Sequence, residues 1–160
     1  MVVARSRTFL RQGRRVVVTA EDTTSFLEVV RGALGIKSAA RGCGNGLCGA
    51  CRVIVEGEVC NACTVTVGEI PDGARIEGYE DLADDPAAAL AVEAFTAERP
   101  TRCTLCVPAV GVTAVSLARH AQAGNLAAID DSLRTAACLC TGRGSIRRAL
   151  LAEPPPARKA

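Results

Sequence analysis

The chain has 160 residues, a formal net charge of +2, and only three phenylalanines and one tyrosine as aromatic side chains. That length suffices for one medium domain or two small ones, and the charge and aromatic content argue against nucleic-acid binding. No apolar run approaches the roughly 18 residues that span a membrane, and the opening MVVARSRTFLRQ lacks the long apolar centre of a secretory signal. We therefore expect a cytoplasmic protein without a membrane span.

The first elements along the chain are a predicted hairpin and a predicted helix. The segment RTFLRQGRRVVVTA has the pattern of two strands that turn at Gln12 and Gly13. A helix follows, because Ser25 and Glu28 have the spacing of a capping box and Gly35 supplies a stop. The predicted apolar stripe of this helix consists of Phe26, Val29, Val30, Ala33 and Leu34.

Two further strands complete a small α+β unit. The segment CRVIVEGEVCNACTVTV predicts two short strands that turn at Glu56 and Gly57, and the unit ends near Gly78. The acidic stretch EGYEDLADDP that follows predicts a linker. Its acids, like the arginines near the start of the chain, are expected to be solvated surface.

The second half of the chain predicts a helical bundle. Pro86 is placed to open a helix in PAAALAVEAFTAE. Further helices are expected over residues 110–122, ended by Gly124, and over residues 126–134 and 145–152. The tail EPPPARKA, residues 153–160, has the composition of a disordered segment.

Nine cysteines are the strongest signal in the composition. Disulfides are rare in the cytosol, where thiols are kept reduced, and an odd number of cysteines does not pair evenly. Metal ligation is therefore the favoured explanation before any spacing is measured.

The first cysteine set lies around the glycine-rich segment RGCGNGLCGAC, residues 41–51. With the spacing C-x4-C-x2-C-x11-C, it resembles the plant-type ferredoxin pattern for a [2Fe–2S] cluster, and its predicted ligands are Cys43, Cys48, Cys51 and Cys63. Glycines allow such a loop to curl around a cluster, because they adopt positive φ angles and lack a Cβ, so that amide N–H groups approach the sulfurs. The predicted cluster-contacting glycines are Gly42, Gly44, Gly46 and Gly49.

A zinc ribbon is the alternative for the same region. Its ligand set, spaced C-x2-C-x8-C-x2-C, would be Cys48, Cys51, Cys60 and Cys63. That set leaves Cys43 and the glycine-rich loop without a purpose, since a zinc site needs no wrap of backbone amides. We therefore favour the iron–sulfur site, with Cys60 as a spare cysteine buried in a strand.

The second cysteine set combines a C-x2-C pair with a C-x-C pair, separated by 31 residues; its members are Cys103, Cys106, Cys138 and Cys140. Each pair precedes a predicted helix, whose N-terminal dipole favours an anionic, thiolate-rich centre. On spacing alone, a structural zinc held by four thiolates remains open for this set.

Together the two sets resemble the small iron–sulfur subunit of the molybdenum hydroxylases, the family of xanthine dehydrogenase and aerobic carbon monoxide dehydrogenase. GCGNGLCGACRVIVEG is close to the first motif of that family, ARIEGYEDLA stands where an EGL segment is usual, and LCTGRGSI is similar to the second motif. The resemblance implies a β-grasp plant-type ferredoxin domain over residues 1–78, an all-α four-helix [2Fe–2S] domain over residues 86–153, and a disordered tail over residues 154–160.

The resemblance also implies a role. The chain would relay single electrons through two [2Fe–2S] clusters, from a large molybdopterin-binding subunit to a medium FAD-binding subunit, inside a hetero-oligomeric oxidoreductase. It would carry no catalytic residue and perform no substrate chemistry itself. The alternatives are a free-standing two-cluster ferredoxin and a zinc-stabilised interaction module.

The departures from the family gather around the second cysteine set. The family has a glutamine before its C-x2-C, which contacts the pterin of the molybdenum cofactor, whereas this chain has Arg102 in RCTLCVPAV. Arg102 only donates hydrogen bonds, so its expected cofactor contact is a phosphate or a carbonyl. Near the C-x-C pair, Arg143 stands where the family has a tyrosine. The single histidine, His120, is expected to be a helix-dipole partner or a surface residue rather than a ligand.

Overall fold

A computed structural model describes residues 4–88, 107–124 and 127 of the chain. Its strands and helices, in chain order, are β1 (Ala4–Arg11), β2 (Arg14–Glu21), α1 (Phe26–Arg31), β3 (Arg52–Val55), β4 (Glu58–Asn61), β5 (Ile76–Glu77) and α2 (Val107–Gln122). Two short 3₁₀ turns, Val67–Glu69 and Tyr79–Asp81, flank β5, and residues 86–88 are helical. The first half is thus the predicted α+β unit.

Strands β1 and β2 form the predicted antiparallel hairpin, in which Ala4 faces Glu21. The chain reverses at Gln12 and Gly13, whose φ angles of 49° and 72° are both left-handed. Left-handed angles at both central residues give the turn type whose twist matches that of the flanking strands. The predicted turn position is confirmed.

The second sheet has the order β4-β3-β5, and both pairs of neighbouring strands are antiparallel. The predicted turn between β3 and β4 is confirmed, because Glu56 and Gly57 have φ angles of 51° and 92°. Strand β5 was not predicted. It is only two residues long, and its pairing with β3 is set by contacts distant in sequence.

Helix α1 begins at Phe26, as expected, but two details of its prediction are wrong. The Ser25 side chain makes no capping hydrogen bond. The helix also ends at Arg31, so Ala33 lies exposed outside it. Residues 32–34 form a turn after the helix. This turn places Leu34 in the core, where it is 2% exposed.

The side-chain capping of this region occurs at Thr66, which pairs with Ser25 through an isolated antiparallel bridge. The Thr66 backbone N–H and hydroxyl donate to the Glu69 carboxylate at 2.7 and 2.8 Å. These hydrogen bonds lower the pKa of Glu69 below its ordinary value, because they favour the charged carboxylate.

Two apolar clusters lie on opposite sides of strand β3. The first joins the hairpin, α1 and the sheet, and the rings of Phe9 and Phe26 lie 5.9 Å apart in it. The second joins Ile54 of β3 to Val112 and Val115 of α2. Alternation of side chains along a strand explains the division, because neighbouring residues of β3 point to opposite faces. The hairpin and α1 therefore pack on one face of this sheet, and α2 packs on the other.

The acidic segment is not the solvated linker that its composition predicts. The Asp81 side chain is only 3% exposed and lies 2.9 Å from Arg11. Arg119 of α2 donates to Glu77 at 2.9 Å and to Asp85 at 3.0 Å. Hydrogen bonds to these carboxylates raise the pKa of Arg119 above its ordinary value. Ion pairs with Arg11 of β1 and Arg119 of α2, both distant in sequence, therefore hold this segment in place.

Helix α2, Val107–Gln122, includes the predicted residues 110–122 and ends at Gln122 as expected, followed by Gly124 with a φ of 72°. Of the predicted helices over residues 126–134 and 145–152, the structure describes only residue 127. The predicted tail lies outside the described residues. Within the described parts of the chain, no helix has the length and apolar character needed to cross a membrane.

Candidate iron–sulfur site

The predicted cluster loop, residues 42–51, connects α1 to β3 without regular secondary structure. Both of its ends are attached to the core. The Ala40 N–H donates to the Ala50 carbonyl at 2.9 Å, and the Cys51 carbonyl accepts from the Ala62 N–H at 3.3 Å. Between these anchors the loop projects outward, and the Leu47 side chain at its tip is 65% exposed.

Cys43 and Cys48 form one pair of thiols on the outer side of this loop. The Cys43 N–H lies 3.4 Å from Cys48 Sγ, and the Cys48 N–H lies 3.2 Å from Cys43 Sγ. Backbone N–H groups of Cys48 and Asn45 lower the pKa of Cys43 to about 7, because they stabilise a thiolate. The loop therefore presents amide hydrogens to sulfur, as an anionic thiolate centre requires.

Cys51 and Cys63 form a second pair on the inner side. Cys51 is 2% exposed directly before β3, and Cys63, in the turn after β4, lies close enough to act on its pKa by hydrogen bonding and charge. Burial raises the pKa of Cys51 to about 12, against a backbone hydrogen bond at Cys63 that lowers it. A metal bound here replaces thiol protons, so its bond energy must offset this preference for the neutral thiol.

Gly42 is required by space rather than by backbone angle. A Cβ on Gly42 would lie 2.6 Å from Cys48 Sγ, and the φ of Gly42 is not in the left-handed region. The prediction that Gly42 supplies a positive φ is therefore wrong, and its lack of a side chain is what lets the sulfur approach.

The other three glycines of the loop do adopt left-handed angles: φ is 72° at Gly44, 79° at Gly46 and 67° at Gly49. A Cβ on Gly46 would also meet the Thr64 methyl group at 2.9 Å, next to the turn that carries Cys63. The absence of a side chain at Gly46 therefore lets the loop pack closely against the turn that carries Cys63.

The donor set fits a two-iron cluster. A [2Fe–2S] centre is held by four thiolates, two on each iron, and the four predicted cysteines stand as an outer and an inner pair. Among residues 4–88 and 107–124, no three Cys, His, Asp or Glu side chains gather around one point. The pairing of Cys48 with Cys43 thus favours the iron–sulfur set over the zinc-ribbon set.

Cys60 and His120 are placed apart from these pairs. Cys60 lies on β4, half-buried against the first apolar cluster, and burial raises the pKa of its thiol to about 11. This placement agrees with the predicted role of a spare cysteine. His120 stands in the last turn of α2, with Nε2 3.3 Å from a Glu58 carboxylate oxygen.

The second cysteine set falls outside the described residues. This applies to the predicted ligands and to the two arginines singled out beside them, namely Cys103, Cys106, Cys138, Cys140, Arg102 and Arg143. Helix α2 begins at Val107, the residue that follows Cys106 in the sequence. The order of a C-x2-C pair followed by a helix stays a prediction, because the pair itself lies outside the described residues.

Sequence reasoning missed Arg52, the residue after Cys51. It is 4% exposed, and its side chain donates to Asn61 at 3.2 Å and to Thr113 of α2 at 2.9 Å. The sequence did offer a signal, namely an arginine at the start of an otherwise apolar strand. Charged side chains are rarely buried unless they are paired, so an arginine in a buried strand indicates specific partners.

Comparisons with known proteins agree with this geometry. Residues 9–91 match the family described as "2Fe-2S iron-sulfur cluster binding domain". The chain is 29% identical over 136 residues to a probable xanthine dehydrogenase subunit of Bacillus subtilis, covering 85% of this chain and 78% of that protein. It is 28% identical over 142 residues to the nicotine 6-hydroxylase small subunit of Paenarthrobacter nicotinovorans, covering 89% of this chain and 85% of that subunit.

Two solved structures share the fold. The quinoline 2-oxidoreductase structure from Pseudomonas putida 86 has a chain matched with a TM-score of 0.68 at 22% identity, covering 94% of this chain and 93% of that one. The aldehyde oxidoreductase from Desulfovibrio gigas matches with a TM-score of 0.71 at 21% identity over 91% of this chain. This chain spans only 17% of the aldehyde oxidoreductase chain.

Proposed function

The chain belongs to the family of 2Fe-2S iron–sulfur cluster binding domains, and we propose that it is the electron-transfer subunit of a molybdenum hydroxylase complex. In this proposal, single electrons pass by way of two [2Fe–2S] clusters from a large molybdopterin-binding subunit to an FAD-binding subunit. The named relatives support it, because they include a probable xanthine dehydrogenase subunit and the small subunit of nicotine 6-hydroxylase. A cytoplasmic location belongs to the same proposal, since a reducing compartment keeps thiols free for iron.

The observation that carries the proposal is the two-by-two arrangement of thiols in residues 42–63. Cys43 and Cys48 would hold the outer iron, and Cys51 and Cys63 would hold the inner iron. The reciprocal N–H to sulfur contacts at 3.4 and 3.2 Å stabilise negative charge on the outer pair. When bound, a [2Fe–2S] cluster supplies a one-electron site whose potential depends on net charge, hydrogen bonding and solvent exposure.

The two sides of the loop suit different neighbours. Cys43 and Leu47 are exposed, so a redox partner can approach the outer pair from solvent. Cys51 is buried beneath the loop, and the next residue contacts α2, the helix that follows the second C-x2-C pair. In this proposal, electrons reach the first cluster from the side of α2 and leave it at the exposed outer side, toward the flavin subunit.

The attachment of α2 favours a fixed place in a complex over a free-standing ferredoxin. Helix α2 packs against β3 through the second apolar cluster, and Arg119 joins it to Glu77 and Asp85. A carrier that visits several partners needs only the first domain, whereas a relay needs both cluster domains held together. Residues 1–78 and 86–153 are the two domains that we assign to it.

Purification of the native complex under anaerobic conditions tests the proposal. We expect the chain to co-purify with a molybdopterin-containing and an FAD-containing subunit, and its visible absorption to bleach with dithionite. Elution as a lone red-brown protein would identify a free ferredoxin. A colourless protein with stoichiometric zinc would identify an interaction module instead, since zinc is redox-silent.

A pair of cysteine variants tests the ligand assignment. Cys43→Ser should abolish the EPR signal of the first cluster and leave that of the second, because it removes one of the four sulfur ligands of the first cluster. Cys60→Ser is the matched control and should retain both signals, because Cys60 lies in β4 against the core. Loss of a signal in the control would contradict the assignment of Cys60 as spare. Loss of both signals in Cys43→Ser would show that the two domains do not load independently.

A further inference from the structure

The Arg52 side chain lies where three parts of the molecule meet. It occupies the first position of β3, directly after Cys51, and is 4% exposed. Nε donates to Asn61 Oδ1 at 3.2 Å, and Nη1 donates to Thr113 Oγ1 on α2 at 2.9 Å. On its remaining side it packs beneath the cluster loop, where a Cβ on Gly49 would lie 3.1 Å from Nε.

Two of the contacted residues, Gly49 and Asn61, are close in sequence to predicted cluster ligands. Gly49 lies between Cys48 and Cys51 in the loop. Asn61 faces Arg52 across the β3–β4 pair, and its carbonyl accepts from the Thr64 N–H at 3.0 Å, which closes the turn that contains Cys63. The guanidinium is therefore held against the scaffold of both the loop and the inner turn.

The contact with α2 extends this link toward the second predicted site. Thr113 is 1% exposed, and its hydroxyl also donates to the Ala109 carbonyl at 2.8 Å, so its position on the helix is fixed. The first described residue of α2, Val107, directly follows Cys106 in the sequence. A single arginine thus joins the loop of the first cluster to the helix that follows a ligand pair of the second.

We propose that Arg52 is a positioning residue of the relay, whose fixed positive charge raises the reduction potential of the first cluster. The inference rests on the proposed function, because it requires a cluster in the loop. A guanidinium stays protonated at all working pH values, and buried charges are only weakly screened by salt. Reduction adds one electron and one negative charge to the cluster, so a nearby fixed cation stabilises the reduced form.

Redox titration of the iron-loaded full-length chain, followed by EPR, tests the inference in three variants. Arg52→Gln removes the charge and keeps hydrogen-bonding capacity; it should shift the one-electron equilibrium of the first cluster toward the oxidised form about tenfold, which corresponds to about 59 mV. Arg52→Lys keeps the charge and loses the planar fork, so its potential should stay near that of the wild type. Thr113→Val removes the α2 hydrogen bond alone and should lower the melting temperature without moving the potential.

The outcomes separate charge from packing. An unchanged potential in Arg52→Gln, or an equal shift in Thr113→Val, would overturn the inference, because the charge would then have no effect of its own. If Arg52→Gln fails to fold, Arg52→Lys decides: a wild-type potential supports the inference, and a shift of tenfold or more overturns it. A wild-type chain that binds no iron would refute the proposed function itself, which the same titration reveals before any variant is compared.

Discussion

The apolar core and the cluster loop are stabilised by different means. Phe9 and Phe26 are completely buried in the first apolar cluster, with their rings 5.9 Å apart. In the loop, by contrast, Cys43 and Leu47 are exposed, and the ordering contacts are backbone hydrogen bonds and N–H to sulfur contacts. Apolar packing therefore stabilises the core, whereas backbone hydrogen bonds and N–H to sulfur contacts order the loop.

The anchors at the two ends of the loop connect these regions. The bonds from Ala40 to Ala50 and from Ala62 to Cys51 attach the loop to the buried scaffold. Fixing each residue of a flexible chain costs about 1–2 kcal/mol of conformational entropy. A loop that is restrained at both ends, with left-handed glycines already in place, loses less entropy when a cluster binds. Substitutions in the core and in the loop should therefore fail in different ways.

The largest expected effect comes from the core. Phe26→Ala should lower the free energy of unfolding by about 3–5 kcal/mol, because truncation of a buried phenylalanine leaves a cavity. Chemical denaturation monitored by circular dichroism measures this loss. Val17→Ala is the control on the solvent side of β2, where the side chain is 67% exposed, and it should change the free energy by no more than about 0.5 kcal/mol. Equal losses in the two variants would contradict the assigned core.

A smaller effect on stability, but a larger one on iron, is expected in the loop. Gly42→Ala places a Cβ 2.6 Å from Cys48 Sγ. In the iron-free chain the sulfur can move aside, so the fold should persist, but a sulfur held by iron cannot move. Iron analysis should show loss of the first cluster, while circular dichroism of the iron-free protein stays unchanged.

Gly13→Ala is the control for that variant. Gly13 lies in the turn between β1 and β2, has a φ of 72°, and has no atom within 4 Å of the position a Cβ would take. Its substitution should cost about 1–2 kcal/mol of backbone strain and retain the iron. If Gly13→Ala lost iron as completely as Gly42→Ala, a general loss of stability rather than the approach of sulfur would explain the effect.

The mildest test leaves the sequence unaltered and compares thiol reactivity in the iron-free chain. A thiol reacts as its thiolate, so alkylation of exposed Cys43 should rise as the pH passes its pKa of about 7. Cys60, with a pKa of about 11, should stay unreactive up to about pH 9 because burial favours the neutral thiol. Iodoacetamide labelling followed by peptide mass spectrometry measures both rates. Reaction of Cys60 at the rate of Cys43 would show that the two regions do not differ as described.

Local features of the fold were predictable from the sequence. The turns at Gln12 and Glu56 were found because hairpins with left-handed central residues have a short-range signature. The start of α1 was also predicted correctly. The capping box predicted at Ser25 does not form, and Ser25 pairs with Thr66 through a backbone bridge. Competition from a contact distant in sequence is invisible to a rule based on spacing.

The interactions that cross the molecule were the ones missed. Strand β5 pairs with β3 although β4 lies between them in the sequence, and the ion pair of Arg11 with Asp81 spans 70 positions. Arg52 was missed for the same reason, because its partner on α2 lies 61 positions away. The predicted ligands of the loop rest on a local spacing of cysteines, whereas the residues that support the loop come from elsewhere in the fold.

The most direct test of the central claim is the iron and acid-labile sulfide content of the anaerobically purified chain, measured together with EPR of the reduced protein. Two [2Fe–2S] clusters predict about four irons and four sulfides per chain and two distinct signals, of which the first disappears in Cys43→Ser. A correctly folded protein without iron, or with zinc bound in its place, would contradict the claim.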